Sequence, residues 1–388
     1  MAQLNINLDM DKLTEEILSS SLSATTKGLA ITVFNAYMET ERDEYVQAKS
    51  RERSETRTDM RNGYYERDYT VSFGKLTLKV PRTRTGEFST ELFERYQRMD
   101  QAVVLALMES VINGVSTRKV TKIVEQLCGE SVSKSFVSNV MKRLDPEIEK
   151  FRNRPLHMKH FDFLYVDAMY IKVRENQRVV SKAVYIAQGI TKDQRREIIG
   201  FMVSGQESTE SWTEFFRDLR TRGLTKPRLI ISDAHAGLKA AIKHEFLDCP
   251  WQRCTVHFMR NIISVMPRKN SKEARSMLRR IFKAPTMAHA EQFKHEFEEY
   301  LQGNSKYEAA VKKLDEGFYD ALQYLTEPED YHKSLRTTNN LERMNREIRR
   351  RERVIGIFPN VGSAVRLIGA LLIDLNETFE SNNRKFFS

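Results

Sequence analysis

Cysteine is scarce: Cys128, Cys249 and Cys254 are the only three in 388 residues. They are too few and too scattered for a disulfide framework, which excludes a small stapled fold and agrees with a reducing compartment. Long apolar runs are missing as well. The most apolar stretch, near the C-terminus, is interrupted by Arg366 and Asp374, so nothing approaches the roughly 20 residues of a membrane span. The opening MAQLNINLDMDKL carries acids and lacks the basic start and apolar block of a secretory signal. Cys254 and His257 stand three apart, yet no second Cys-x-x-Cys or His pair completes a four-ligand set, so no zinc is expected. Together these absences lead us to expect a cytoplasmic protein without a membrane partner.

What is present is a hydrophobic fraction of 40%, ordinary for a globular protein and sufficient, at this length, for two or three domains. The formal charge is +10 and the pI about 9.3, although charged residues of both signs make up 30% of the chain. A basic excess spread over a highly charged surface favours a polyanionic partner.

Residues 1–60 are charged and helical in period, with Leu13, Ile17 and Leu18, then Leu29, Val33, Tyr37 and Met38, forming a stripe for internal packing or for a second subunit. In residues 61–100 the period changes to two: Tyr69, Val71 and Phe73, then Leu76, Leu78 and Val80, read as a small hairpin turning at Gly74-Lys75. A basic loop, residues 81–86, leaves it, and its Arg82 and Arg84 suit a phosphate backbone. Residues 101–155 read as a helix stopped by Gly114, a second capped by Ser116 and stopped by Gly129, and a third capped by Ser133. That is the outline of a helix-turn-helix, with Lys134, Ser135, Ser138, Asn139, Lys142 and Arg143 exposed on the helix that would enter the major groove.

From 156 to 258 the texture is α/β. Residues 161–173, FDFLYVDAMYIKV, are apolar at both parities, as in a central strand covered on both faces, and Asp167 lies in the middle. A carboxylate there is costly unless paired or bound to a cation. Further strands follow at 179–190 and 197–203, then a helix at 208–222 with Trp212, Phe215, Phe216 and Leu219 inward. A short strand at 227–232 ends at Asp233, where ligands gather in open α/β sheets. Residues 251–256 read as one more strand, and 259–335 as an all-helical insertion, with helices at 271–282, 287–301, 305–316 and 318–325. In the last segment, 336–388, Asn339 is the expected N-cap of a basic helix that ends near Gly356. It carries Leu341, Met344 and Ile348 on one face and Glu342, Asn345, Arg346, Arg349 and Arg353 on the other. Residues 361–379 close the chain as a helix burying Val365, Ile368, Leu372 and Leu375.

No local motif explains Asp167, Asp233 and Glu342, whereas a shared site does. Three hard oxygen ligands suit Mg²⁺ or Mn²⁺, and two such ions can activate an attacking hydroxyl and stabilise a leaving 3′ oxygen. The sequence around them, VDAMYIKVRE, IISDAHAGLKAAI, CTVHFMRNI and TTNNLERMNREIRRRERVIGIFP, resembles the bacterial Mutator-type insertion-sequence transposases over essentially the whole chain. The resemblance implies a ribonuclease H-like catalytic core split by the helical insertion, a DDE triad of Asp167, Asp233 and Glu342, and DNA cleavage followed by strand transfer with two metal ions. It also implies terminal inverted repeats read by the helix-turn-helix, target DNA, a homodimer, a copy-out and paste-in route, and residence on the nucleoid when bound. Cys254 and His257 match a family motif, with a role near the scissile phosphate. Arg349 matches the family's basic position, and Arg346, Arg349, Arg350 and Arg353 would hold the DNA backbone, with Asn345 a further DNA contact near the active site. A nuclease of the same fold that does not join, and a DNA-binding regulator descended from a transposase, are the rival readings.

Overall fold

Residues 161–173 belong to the central strand of a five-stranded mixed sheet. The computed structural model describes residues 22–71, 73–93, 99, 101–128, 132–269, 271–382 and 384–387, so Leu13, Ile17, Leu18 and the turn at 129–131 lie outside it. The chain divides into two compact units, Met1–Lys142 and Arg143–Ser388.

In the first unit, α1 (Leu22–Val46) packs on a hairpin of β1 (Arg61–Val71) and β2 (Gly74–Thr83). Met38, Tyr69, Val71, Leu76, Leu78, Val80 and Phe93 form its core, while Val33 is exposed. Buried Arg42 binds the carbonyls of Gly63 and Arg82 and the Glu39 carboxylate, tying helix to hairpin. The turn lies earlier than expected. Gly74 already pairs with Val71 and Lys75 with Thr70, so both belong to the second strand, and Arg82 is a strand residue rather than part of a loop. Ladder pairing outweighs glycine as a turn signal here. Three further helices, α2 (Gln101–Ile112), α3 (Thr117–Cys128) and α4 (Lys134–Met141), pack on one another. Ser133 caps the last of these by accepting the Phe136 N–H. Lys134, Ser135, Ser138 and Asn139 are exposed on α4, but Lys142 and Arg143 fall in the following 3₁₀ turn, Lys142–Leu144.

The second unit begins with α5 (Asp145–Asn153), followed by β3 (Phe161–Glu175), β4 (Arg178–Thr191), β5 (Arg196–Ser204), α6 (Thr209–Thr221), β6 (Leu229–Ser232), α7 (Ala236–Glu245) and β7 (Trp251–Arg253). The sheet order is β5-β4-β3-β6-β7. β3, β4 and β5 are antiparallel neighbours, and β6 and β7 run parallel to β3. One face is covered by α6 and α7, whose Trp212, Phe215, Phe216, Leu219, Leu238 and Ile242 pack on Leu164, Val166 and Tyr185. Burial of each such side chain contributes about 1.5–3 kcal/mol. Ser208 caps α6, and Gly223 stops it at φ +106°, a left-handed conformation that glycine adopts without strain.

The rest of the unit is helical: α8 (Thr255–Ser264), α9 (Lys272–Ile281), α10 (Met287–Leu301), α11 (Glu308–Gly317), α12 (Glu329–Leu335), α13 (Asn339–Ile355) and α14 (Val361–Ser381). Residues 251–256 are not one strand: β7 stops at Arg253, and Cys254 becomes the N-cap position of α8. Residues 318–325 are not a helix; they are turns ending in a 3₁₀ segment, Gln323–Thr326, because Gln252 Nε2 and Oε1 take up the Ala321 carbonyl and the Tyr324 N–H. In α14 the buried row is Ala364, Leu367, Ile368, Leu371 and Leu372, with Val365 and Leu375 half-buried. This helix meets the sheet closely enough that a Cβ on Gly369 would lie 2.9 Å from Phe201. Among the described residues no helix is long and apolar enough to cross a membrane.

Candidate active site

The two aspartates are brought together by strand register. β6 pairs with β3 at Leu164↔Ile230 and Tyr165↔Ile231. Asp167 lies two residues beyond Tyr165 on β3 and Asp233 two residues beyond Ile231 in the chain, and both line one cleft. β6 ends at Ser232, so Asp233 stands just past its carboxyl end with the chain already turning toward α7. Asp167 itself is mid-ladder, paired with Ile186 on β4.

Glu342 comes from the opposite wall. α13 buries Leu341, Met344 and Ile348, as the period requires, and also Arg351, whose partner is Glu347. Its N-cap is Thr338 rather than Asn339, and Thr338 makes no side-chain cap. A capping box from Asn339 to Glu342 is therefore not formed, and the Glu342 carboxylate turns to α8: its Oε1 lies 3.3 Å from His257 Nε2 and 3.8 Å from Arg260 Nη1. One turn on, Asn345 Nδ2 donates to Asp167 Oδ2 at 2.7 Å, while the Ala168 N–H donates to Oδ1 at 3.0 Å. These side chains line a cleft of about 360 Å³ bounded by Asp167, Asp233, Glu342, His257, Arg260 and, along α13, Asn345, Arg346 and Arg349. Arg350 pairs with Glu347 and Arg353 sits further along the helix, both outside the cleft wall.

Cys254 and His257 have different positions. Cys254 is fully buried and out of reach of any DNA; its Sγ accepts from the Thr338 N–H at 3.4 Å and the Thr338 hydroxyl at 3.3 Å. Next to it, the Thr255 N–H and hydroxyl both donate to the Arg336 carbonyl at 2.9 Å. The N-terminus of α8 thus fastens the chain just before α13, and through it Glu342. His257, half-exposed, lines the cleft.

Charge in the cleft is unbalanced around Asp167. Burial, and then the neighbouring Asp233, push its carboxyl up to about 7, against the Ala168 hydrogen bond, His257 and Asn345. His257 is raised above its ordinary value, first by its hydrogen bond with Cys254 and then by Glu342 and Asp167, against burial. Burial pushes the Cys254 thiol up, but hydrogen bonds from His257 and Thr338 outweigh it and hold the thiol below its usual range. Two observations fit a cation between the aspartates: an Asp whose carboxyl is pushed up by burial and by a neighbouring acid, and a buried Asn345 Oδ1 without a hydrogen-bond partner. Among the described residues no three acid, His or Cys side chains are gathered closely enough to form a ligand set. Glu342, engaged by His257 and Arg260, is the member that stands apart.

Arg260 is a cleft residue that the sequence reading misses. Its place in the cleft comes from its approach to Glu342, far along the chain, which no local pattern announces. The other expected contacts, Arg82 and Arg84 on the hairpin and Lys134, Ser135, Ser138 and Asn139 on α4, belong to the first unit. Arg82 and Arg84 border a separate cavity of about 460 Å³ there, with Tyr65 under the Arg82 guanidinium.

A family model described as "Transposase, Mutator family" matches residues 1–382, and the chain belongs to that family of transposases. It is 48% identical, over 100% of its length and 99% of the relative's, to the transposase for insertion sequence element IS256 in transposon Tn4001 of Staphylococcus aureus. It is 42% identical to the transposase for insertion sequence element ISRM5 of Rhizobium meliloti, over 91% of this chain and 88% of that one. The transposase for insertion sequence element IS1081 of Mycobacterium tuberculosis is 36% identical over 96% and 90%. Among solved structures, the Drosophila P element transposase strand transfer complex aligns over 77% of this chain and 83% of that one, at 12% identity and a TM-score of 0.30, a likeness too slight to argue from.

Proposed function

We propose that this transposase works by a DDE mechanism in a ribonuclease H-like core, with Asp167, Asp233 and Glu342 as the catalytic acids. The observation that carries the reading is one cleft, which Asp167 on β3 and Asp233 just past the neighbouring parallel strand β6 share with Glu342, Arg346 and Arg349 of α13. The sheet order, three antiparallel strands followed by two parallel ones, supports the same core. Asp167 and Asp233, joined by Glu342 once it leaves His257 and Arg260, would hold two Mg²⁺ or Mn²⁺ ions. When bound, these supply activation of the attacking oxygen and stabilisation of the leaving 3′ oxygen.

The chain's own residues do the rest. Arg346 and Arg349, on the cleft side of α13, hold the DNA backbone on either side of the scissile phosphate, and Arg350 and Arg353 extend the contact along the helix. Asn345 fixes the Asp167 carboxylate in one orientation. His257 and Arg260 keep Glu342 paired in the free protein and offer positive charge to the phosphate when Glu342 swings inward. One site serves both steps: hydrolysis at the element's end frees a 3′ hydroxyl, and that hydroxyl attacks a target phosphodiester from the same position. Helix α4 reads the terminal inverted repeats through Lys134, Ser135, Ser138 and Asn139, with Lys142 and Arg143 flanking it and Arg82 and Arg84 tracking phosphates. A homodimer holds two ends, the route is copy-out and paste-in, and the protein works on the nucleoid in the cytoplasm.

The test is Mg²⁺-dependent cleavage and joining of duplexes carrying the DNA that flanks this protein's own gene, with wild type set against Asp167→Asn. Nicked and joined products, both abolished in the variant, are expected. Nicking without joining would replace the transfer mechanism by a nuclease, and salt-sensitive binding without cleavage by either protein would leave a regulator. A copy-out route further requires that the donor copy stay in place, which amplification across the donor site reads.

A further inference from the structure

Between residues 269 and 283 the chain carries Lys269, Lys272, Arg275, Arg279, Arg280 and Lys283 against a single acid, Glu273. Helix α9 buries Ala274, Leu278 and Ile281. With a helix turning about 100° per residue, Lys272, Arg275 and Arg279 fall within about 60° of one another on one flank. Glu273 and Arg280 fall on the other, where Arg280 pairs with Glu296 at 2.7 Å. The acid is thus segregated from the row of three. Lys272, Arg279 and Lys283 are exposed, and Arg275 is half-buried with its Nε lacking any acceptor. Among the described residues no carboxylate pairs with any of these four, although α10 alongside supplies acids to Arg280 and Lys294.

Like charges at spacings of three and four along a helix repel by a few tenths of a kcal/mol per pair. A chain with 53 acids had ample means to intersperse them here. We infer that this row is a second DNA-backbone contact, outside the acid cleft, in which the helical insertion lies along phosphates; the inference rests on the DNA-cleaving reading above. From Lys272 to Arg279 the helix rises about 10 Å, the axial span of about three phosphates on one strand. Contacts to phosphate fix position and carry no sequence information, so a row that meets only the backbone binds independently of sequence.

The test is the salt dependence of duplex binding by the full chain, read by fluorescence anisotropy, for wild type and for Lys272→Ala/Arg279→Ala/Lys283→Ala. All three positions are exposed and alanine favours helix, so the fold should persist, as circular dichroism and Tm will report. The slope of log K against log salt is expected to become less negative by about two to three, at roughly 0.9 for each phosphate the variant no longer neutralises. A control triple of exposed lysines elsewhere in the same unit, Lys226→Ala/Lys306→Ala/Lys312→Ala, should leave the slope where it was. An unchanged slope in the α9 triple, or an equal change in the control, would overturn the inference while leaving the cleavage reading intact. Wild type that fails to bind duplex even at low salt would instead overturn the cleavage reading, and this inference with it.

Discussion

The two walls of the cleft are held by different kinds of force. On one side, Asp167 lies within β3 and Asp233 directly follows β6, strands held by backbone hydrogen bonds that no side-chain substitution removes. On the other, the placement of Glu342 depends on a few side-chain contacts: Cys254 with Thr338, Thr255 with Arg336, and Asn345 with Asp167. The sheet wall should therefore be sensitive only at its acids, whereas the helix wall should be sensitive at residues that never meet DNA or metal.

The largest effect is expected at the sheet wall. Asp167→Asn and Asp233→Asn should each reduce cleavage below detection in a gel assay of labelled duplex, while duplex affinity in Ca²⁺ stays within a few-fold. The same wall carries a pH signature. Because the Asp167 carboxyl sits near 7 in the folded, metal-free protein against 3.8 ordinarily, the folded state keeps a proton that the unfolded state has released between those values. That contribution to stability is complete below about pH 4 and vanishes as pH rises through 7, amounting to at most about 4 kcal/mol. In EDTA, the Tm of wild type relative to Asp167→Asn should accordingly fall from pH 5 to pH 8, and Mg²⁺ should restore it at pH 8.

At the helix wall the expected effects are smaller. Asn345→Ala should slow cleavage by about 10- to 100-fold, as for other residues that orient a metal ligand, with duplex affinity little changed. Thr338→Val, which keeps the shape but removes the hydroxyl donor to Cys254, should cost about 1 kcal/mol by thermal melting. It should also slow cleavage several-fold without altering DNA affinity, the mark of a positioning role. Smallest of all, Arg350→Ala and Arg353→Ala should weaken binding less than Arg346→Ala or Arg349→Ala, because only the latter two line the cleft.

The sheet wall is also the more legible of the two in the sequence. Continuous apolar patterning marks β3 and β6 whatever surrounds them, and an acid interrupting or ending such a run is conspicuous. Ser133, Ser208 and Gly223 act at the helix ends where their chemistry puts them, because caps and stops are local. The helix wall is made of contacts between residues far apart in the chain, 84 positions for Cys254 and Thr338 and 178 for Asn345 and Asp167. No local pattern encodes them. From sequence, Asn345 therefore reads as a DNA contact when it is Asp167's partner, and Cys254 as DNA-facing when it is buried. Arg260 escapes notice for the same reason, since only its approach to Glu342 brings it to the cleft.

The most direct test of the claim that Asp167, Asp233 and Glu342 form one divalent-cation site is a Mn²⁺ titration by calorimetry of wild type, Asp167→Asn, Asp233→Asn and Glu342→Gln. Loss of binding in both aspartate variants and weakened binding in Glu342→Gln are the results expected. Mn²⁺ binding that is indifferent to Asp167 and Asp233 would contradict the account.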